Sequence, residues 1–228
     1  MEQNNTTKTL APKTNLRGNV AVISSKSELH RLIFCACLAD RACTIAYNST
    51  LSKDIEATLG CLKALGAKIN IENDTVTIGG IDINNTPKDN KMFCNESGST
   101  LRFFIPLALL CGMPASFTGT EKLLSRPLGV YAQLCAQHGF TYEKTPHFLE
   151  IQGKLTSDTF TVPGDISSQF ITGLLMALPL LDGDSVITIT PPVESRGYID
   201  LTLQVMEMFG VHADWQNETT LVIPGGQT

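Results

Sequence analysis

The feature that most constrains this chain is a threefold internal repeat. A glycine closes an amphipathic stretch at Gly66, Gly139 and Gly210, at spacings of 73 and 71 residues. A cluster of small residues recurs as Ser24-Ser25-Lys26-Ser27, Ser97-Gly98-Ser99-Thr100 and Ile166-Ser167-Ser168-Gln169, which sets Lys26, Ser99 and Ser168 apart by 73 and 69 residues. Two independent landmarks with one period mark three copies of a supersecondary unit that must pack together to bury its apolar faces. Behind each cluster runs a nearly all-apolar stretch: Leu32 to Ala39, Phe103 to Cys111 and Phe170 to Leu181. These are predicted as helices buried on every side, with Pro106 and Pro179 kinking or shortening two of them. The amphipathic helices are predicted over 53–65, with Ser52 as N-cap, over 127–138, with Pro127 at the first helical position, and over 198–209. Strand pairs follow at Lys68–Ile71 with Thr75–Ile78, Thr141–Glu143 with Phe148–Ile151, and His212–Trp215 with Thr220–Ile223. Asn73-Asp74 and Asn217-Glu218 read as their turns.

The pattern gives an α/β (α+β) fold of three β-α-β-α-β-β units, with central buried helices and sheets on the outside. The repeats occupy about 19–81, 91–154 and 159–224, within one domain spanning 18–224. Residues 1–17 are polar, with a strand-like stretch at Lys8–Leu10, and do not fit the repeat; residues 225–228 read as the start of a connection. A chain of 228 residues that is 43% hydrophobic can bury a sizeable core. Its formal net charge of −5, without any Lys/Arg block, argues against a general nucleic-acid or membrane-surface binder. The longest apolar runs, 103–112 and 170–181, fall short of the ~20 residues of a membrane span. Seven cysteines, several in apolar runs, and a polar first fifteen residues fit buried thiols in a reducing cytoplasm. Neither the cysteines nor the four histidines have metal-ligand spacing, so no metal and no cofactor is expected.

The chemistry-bearing residues gather where helices begin. A helix N-terminus presents free N–H groups and about half a positive charge, and acidic side chains are favoured there. Here cations and hydroxyls stand instead: Lys26 and Arg31 at the first start, Arg102 just after the second cluster, and Arg126 before Pro127. A serine at one helix start is by itself an N-cap, and a nearby Lys or Arg is by itself a solvated charge. The repeat shifts the balance. If three copies pack about a common axis, their helix starts meet, and the combination reads as a polyanion pocket. Asp54, Asp165 and Asp200 are candidate carboxylates, with capping as the simpler role. Arg102, inside a helix, can equally tie neighbouring elements together.

These residues resemble the motifs of the 5-enolpyruvylshikimate-3-phosphate synthase family (3-phosphoshikimate 1-carboxyvinyltransferases). The resemblance rests on Ser25-Lys26-Ser27 with Arg31, Ser97 through Arg102, Arg126-Pro127-Leu128-Gly129, Gly164 through Phe170, and Ser195 through Leu203, in that order over residues 25–203. It implies transfer of the enolpyruvyl group of phosphoenolpyruvate to the 5-hydroxyl of shikimate 3-phosphate, releasing phosphate, in aromatic amino-acid biosynthesis. It implies that Lys26, Ser27, Arg31, Ser167, Ser168, Gln169, Ser195 and Tyr198 contact shikimate 3-phosphate. It further implies that Lys26, Gly98, Arg126 and Gln169 contact phosphoenolpyruvate, where glyphosate would also sit. Lys26 is the residue of this set assigned a catalytic part.

The chain departs from the family pattern at three places. Ile23-Ser24 replaces Pro-Gly, Glu96 replaces Asn, and Gly197 replaces the Pro before Tyr198. It also departs in length, since family members are about twice as long and carry their proton-transfer carboxylates in a second domain. The chain is therefore expected to be the N-terminal half, folded and inactive alone, with residues 1–17 belonging structurally to the C-terminal domain as its partner. Two alternatives stand beside this: a non-catalytic phosphometabolite-binding module, and the related UDP-N-acetylglucosamine enolpyruvyl transferase. The latter usually carries Lys-Asn at Lys26-Ser27 and a reactive Cys at the position of Glu121.

Overall fold

The computed structural model describes residues 17–19, 22–48, 50–85 and 91–227. The strand-like stretch at Lys8–Leu10 and nearly all of the N-terminal segment lie outside the described residues. The first repeat contains α1 (Lys26–Leu38), β1 (Cys43–Ala46), α2 (Lys53–Ala64), β2 (Lys68–Glu72) and β3 (Thr75–Gly79). The second contains β4 (Lys91–Phe93), α3 (Gly98–Cys111), β5 (Ala115–Thr118), a short α4 (Glu121–Leu124), α5 (Gly129–His138), β6 (Thr141–Lys144) and β7 (Leu149–Gln152). The third contains β8 (Thr159–Pro163), α6 (Ser168–Ala177), β9 (Ser185–Thr190), α7 (Arg196–Met208), β10 (Asp214–Asn217) and β11 (Thr220–Ile223).

The three repeat glycines all adopt the left-handed backbone that stops a helix and turns the chain into a hairpin, with φ of +95° at Gly66, +70° at Gly139 and +76° at Gly210. Each repeat builds its own sheet: β1-β3-β2, β4-β5-β7-β6 and β8-β9-β11-β10. The opening strand pairs parallel to its neighbour (β4 with β5, β8 with β9), and the other pairings are antiparallel. In the first repeat no opening strand forms among the described residues. Residues 22–25 form no strand, and Asn48 beyond β1 holds them by donating to the Val22 carbonyl at 2.8 Å and the Ser24 hydroxyl at 2.9 Å. Alternate residues of β7, β9 and β11 are buried, so each sheet turns one face to helices and one to solvent.

The helices close a ring: α1 packs on α2 and α7, α3 on α2 and α6, and α6 on α7. As expected for all-apolar helices, α3 and α6 are buried over almost their whole length. Phe34 meets Phe103 and Phe104 edge-to-face, with centroids 6.0 and 5.2 Å apart. Pro179 ends α6 as expected, and the chain continues as a single 3₁₀ turn over Leu178–Leu180. Pro106 does not end α3, which runs through it to Cys111. A proline there leaves the carbonyl of Arg102, four residues earlier, without its helical donor. The fully buried Tyr131 of α5 supplies the replacement, its hydroxyl donating to the Arg102 carbonyl at 2.7 Å and to the Phe170 carbonyl at 3.3 Å. The two helices come close at this point because α6 presents Gly173, where a Cβ would lie 2.6 Å from the same Arg102 oxygen.

Several boundaries differ from the sequence reading. α5 begins at Gly129, not at Pro127, because Leu128 is the flanking residue with φ −128°. The last hairpin turns one residue later than expected, at Glu218-Thr219, after a register shift between Trp215 and Asn217. The seven cysteines are free thiols, five of them buried and Cys43 and Cys111 half-buried. Among the described residues no helix is long and apolar enough to cross a membrane.

Candidate functional site

Three of the helix starts are capped by the first suitable serine of each cluster. Ser25 accepts from the Glu28 N–H at 3.3 Å, Ser97 from the Thr100 N–H at 3.2 Å, and Ser167 from the Gln169 N–H at 3.3 Å. The following residues of the clusters then face one another. Lys26, Ser27 and Arg31 from α1, Ser99 and Phe103 from α3, Ser167, Ser168 and Gln169 from the start of α6, and Ser195 and Tyr198 from the start of α7 line a single open pocket of ≈ 370 Å³. The loop before α6 is tied to the loop before α7, since the Glu194 N–H donates to the Gly164 carbonyl at 3.0 Å. Ser195 takes the left-handed backbone, φ 56°, and caps nothing, so its hydroxyl is free of helix duty at the pocket.

All eight residues expected at the larger substrate therefore surround one cavity. Gly98 and Arg126 lie beside it, across Gln169: a Cβ on Gly98 would sit 2.7 Å from the Nη1 atoms of both Arg102 and Arg126 and 3.5 Å from Gln169 Oε1.

The charge of the site is one-sided. The first turns of α3, α6 and α7 carry no acidic residue, leaving their positive ends uncompensated. Arg31 is buried, at 3% exposure, yet its hydrogen-bond partners are all neutral: the Ser27 carbonyl at 2.7 Å, Thr202 Oγ1 at 2.8 Å, the Tyr198 carbonyl at 3.0 Å and Thr172 Oγ1 at 3.2 Å. Burial lowers its pKa to about 10, so it keeps its charge at neutral pH. Arg102 is also buried, and burial together with the nearby Arg126 lowers its pKa. Among the described residues no carboxylate pairs with Arg31, Arg102 or Arg126. Lys26 alone has one, Asp54, at 2.7 Å. Asp54 thus serves as an ion-pair partner, not as the expected cap. Asp200 is likewise no cap and accepts from Trp215 Nε1 at 2.8 Å.

Beneath Lys26, one helical turn along, His30 is almost wholly buried. Its Nδ1 lies 3.0 Å from Thr58 Oγ1, which is 2.7 Å from Thr100 Oγ1, so a polar chain crosses from α1 through α2 to α3. Burial lowers the His30 pKa to about 4, and the ring is neutral at pH 7. The sequence reading did not single out Thr172, Thr202, Thr58 or Tyr131. Their signal was a lone hydroxyl on an otherwise apolar helical stripe.

The chain is thus a three-repeat α/β domain whose helix starts meet at one pocket, with Lys26 and Arg31 in its lining and Arg102 and Arg126 beside it. The sequence matches the family described as EPSP synthase (3-phosphoshikimate 1-carboxyvinyltransferase) over residues 10–228, and the chain belongs to that family. The 3-phosphoshikimate 1-carboxyvinyltransferase of Clostridium kluyveri is 44% identical over 219 residues, covering 94% of this chain and 50% of its own length. That of Clostridium perfringens strain SM101 is 42% identical over 223 residues, covering 97% and 52%. The fold matches an EPSP synthase structure from Acinetobacter baumannii with a TM-score of 0.77 at 22% identity, over 92% of this chain and 47% of that one. The chain spans about half the length of the curated relatives it matches.

Proposed function

We infer that the pocket at the helix starts takes shikimate 3-phosphate, and that this chain forms one wall of a site for enolpyruvyl transfer from phosphoenolpyruvate. The observation that carries this reading is the convergence of Lys26, Ser27, Arg31, Ser167, Ser168, Gln169, Ser195 and Tyr198, from distant parts of the chain, on one cavity with unpaired positive charge. Lys26 and the hydroxyls bind phosphate and ring oxygens, and the half-exposed Tyr198 ring packs against the carbocycle. Gly98, Arg126 and Gln169 receive phosphoenolpyruvate, the glycine letting the backbone approach the ligand. Transfer forms a bond from the 5-hydroxyl oxygen to C2 of phosphoenolpyruvate, the hydroxyl giving up its proton to a base while C3 gains a proton from an acid. In the resulting tetrahedral ketal phosphate the bond from C2 to the phosphate oxygen then breaks, phosphate leaves, and C3 gives up a proton to a base. Lys26 and Arg126 hold carboxylate and phosphate charge as it shifts.

The protons need carriers that this wall lacks: among the described residues lining the pocket there is no carboxylate. A second lobe supplies them in this reading, covering the open face beside Tyr198 and Ile166, which are 49% and 51% exposed. The domain of residues 18–224 alone then binds without turnover. Three charge-assisted contacts give roughly 5–9 kcal/mol gross, most of it offset by ~4–15 kcal/mol of association cost, so binding of shikimate 3-phosphate is no tighter than about millimolar. An amide NMR titration tests this, with UDP-N-acetylglucosamine as control. Shifts at Ser27, Ser167–Gln169 and Ser195–Tyr198 with shikimate 3-phosphate alone are the expected result. Silence at tens of millimolar, or equal response to the control, refutes the assignment. Enolpyruvyl product formed by the chain alone refutes the need for a second lobe.

A further inference from the structure

We propose that Arg102 is a positioning residue that sets the amide of Gln169 and the backbone at Arg126-Pro127 for ligand binding; this rests on the reading of Gln169 and Arg126 as ligand contacts. Arg102 opens the second turn of α3, and its backbone is pinned where Tyr131 replaces the donor that Pro106 lacks. From that fixed point its guanidinium reaches two elements outside its own helix. Nη1 donates to Gln169 Oε1 at 2.6 Å, and Nη2 donates to the Pro127 carbonyl at 3.3 Å.

The first bond decides how the Gln169 amide faces. An arginine only donates, so Oε1 must turn toward it and the Nε2 protons must turn away. One of them meets Ser99 Oγ at 2.9 Å, at the pocket wall, and the other remains for a ligand. The second bond holds the peptide that follows Arg126, and with it the approach of that side chain to Gly98.

Stability alone does not account for this arrangement. The guanidinium is buried with no carboxylate among the described residues, beside a second guanidinium, and its Nε has no hydrogen-bond partner. Its ring contact is with Phe170, 5.0 Å from the centroid, on the residue after Gln169. The hydrogen bonds and the ring contact that the side chain makes outside its own helix thus fall on Gln169, on its neighbour and on the neighbour of Arg126. A lysine keeps the charge but has no planar fork, and it cannot hold both acceptors in this geometry.

The test uses the ¹⁵N-labelled 228-residue chain as wild type, Arg102→Lys, Arg102→Met and Tyr131→Phe. The readouts are the Gln169 side-chain amide signals, identified by their loss in Gln169→Glu, and the dissociation constant for shikimate 3-phosphate. Unchanged backbone signals for Val76 and Ile78, buried in β3 of the first sheet and outside the pocket lining, report that each variant is folded. Both Arg102 variants are expected to displace the Gln169 amide signals before any ligand is added, and to weaken shikimate 3-phosphate about five-fold or more, the loss of one ordinary hydrogen bond. Tyr131→Phe removes the bond that pins the Arg102 backbone but keeps the guanidinium and its bond to Gln169, so it is expected to displace the Gln169 signals and weaken shikimate 3-phosphate less than either Arg102 variant; an effect larger than theirs overturns the role given to the guanidinium. Gln169 signals that stay in place in both Arg102 variants overturn the proposal, as does full retention of affinity by Arg102→Lys. Absence of ligand shifts in the wild type counts against the ligand reading, while the ligand-free Gln169 signals still decide whether Arg102 orients the amide.

Discussion

The Tyr131 hydroxyl closes a gap that a proline opened, and this can be measured. Tyr131→Phe keeps the buried ring but removes the donor held 2.7 Å from the Arg102 carbonyl. That carbonyl has no helical N–H to fall back on, because residue 106 is proline. Losing a buried hydrogen bond and stranding its acceptor costs about 1–3 kcal/mol. Pro106→Ala restores the missing N–H in register. In that background the same Tyr131→Phe change strands nothing at Arg102 and is expected to cost about 1 kcal/mol less. Neighbouring groups that share a partner show coupling of ~0.5–3 kcal/mol. The assay is urea unfolding at pH 7 of the wild type, both single variants and the double variant, with a double-mutant cycle. Equal cost of Tyr131→Phe in both backgrounds, within about 0.3 kcal/mol, refutes the claim that the tyrosine substitutes for the helical donor.

Three further outcomes are expected. Lys26→Met removes a half-exposed ion pair and changes stability by less than about 1 kcal/mol, yet it abolishes the shikimate 3-phosphate shifts; retained shifts exclude Lys26 from the site. Gly98→Ala places a methyl 2.7 Å from Nη1 of Arg126 and from Nη1 of Arg102, which is buried and bonded to Gln169, so a guanidinium must give way, and a crystal structure shows at least one of the two displaced; unmoved ends refute this. His30 has a native pKa lowered from 6.5 to about 4, so the unfolded chain binds its proton first as pH falls. Its stabilising contribution is complete above pH 6.5 and is lost between pH 6.5 and 4. The loss is roughly 3 kcal/mol, and His30→Asn, compared with wild type by urea midpoint at pH 7 and 4.5, shows a correspondingly smaller drop; an identical drop in both refutes the assignment.

How much of this was legible depended on how local the cause is. Gly66, Gly139 and Gly210 announced themselves because a left-handed turn after a helix is a property of one residue. Ser52 was legible as the cap of α2 for the same reason. The start of α5 was not, because the loop before it is shaped by distant partners: Arg102 donates to the Pro127 carbonyl, and the residue after Pro127 leaves the helical region. The four-residue α4, capped by Thr120, is too short to show a period. Arg31 could be placed near an anion from the sequence, but its acceptors Thr172 and Thr202 lie 141 and 171 residues away. Asp54 was read as a cap because its own helix start was visible and Lys26, 28 residues earlier, was not visibly adjacent.

The same contrast explains why the site belongs to the repeat and not to any one copy. One helix start offers a few N–H groups and a partial charge, and a serine cap satisfies one of those groups. Packing the copies in a ring brings the starts of α1, α3, α6 and α7 to one cavity, where the caps are already used and the next residues are free to face a ligand. The cations then cannot neutralise one another. Arg31 and Arg102 are buried among neutral acceptors, and no carboxylate among the described residues offsets them. A buried charge in that condition is costly unless something negative arrives. In the proposed reading a multiply charged anion offsets that cost, and Asp54 on Lys26 is the carboxylate, among the described residues, that such an anion competes with.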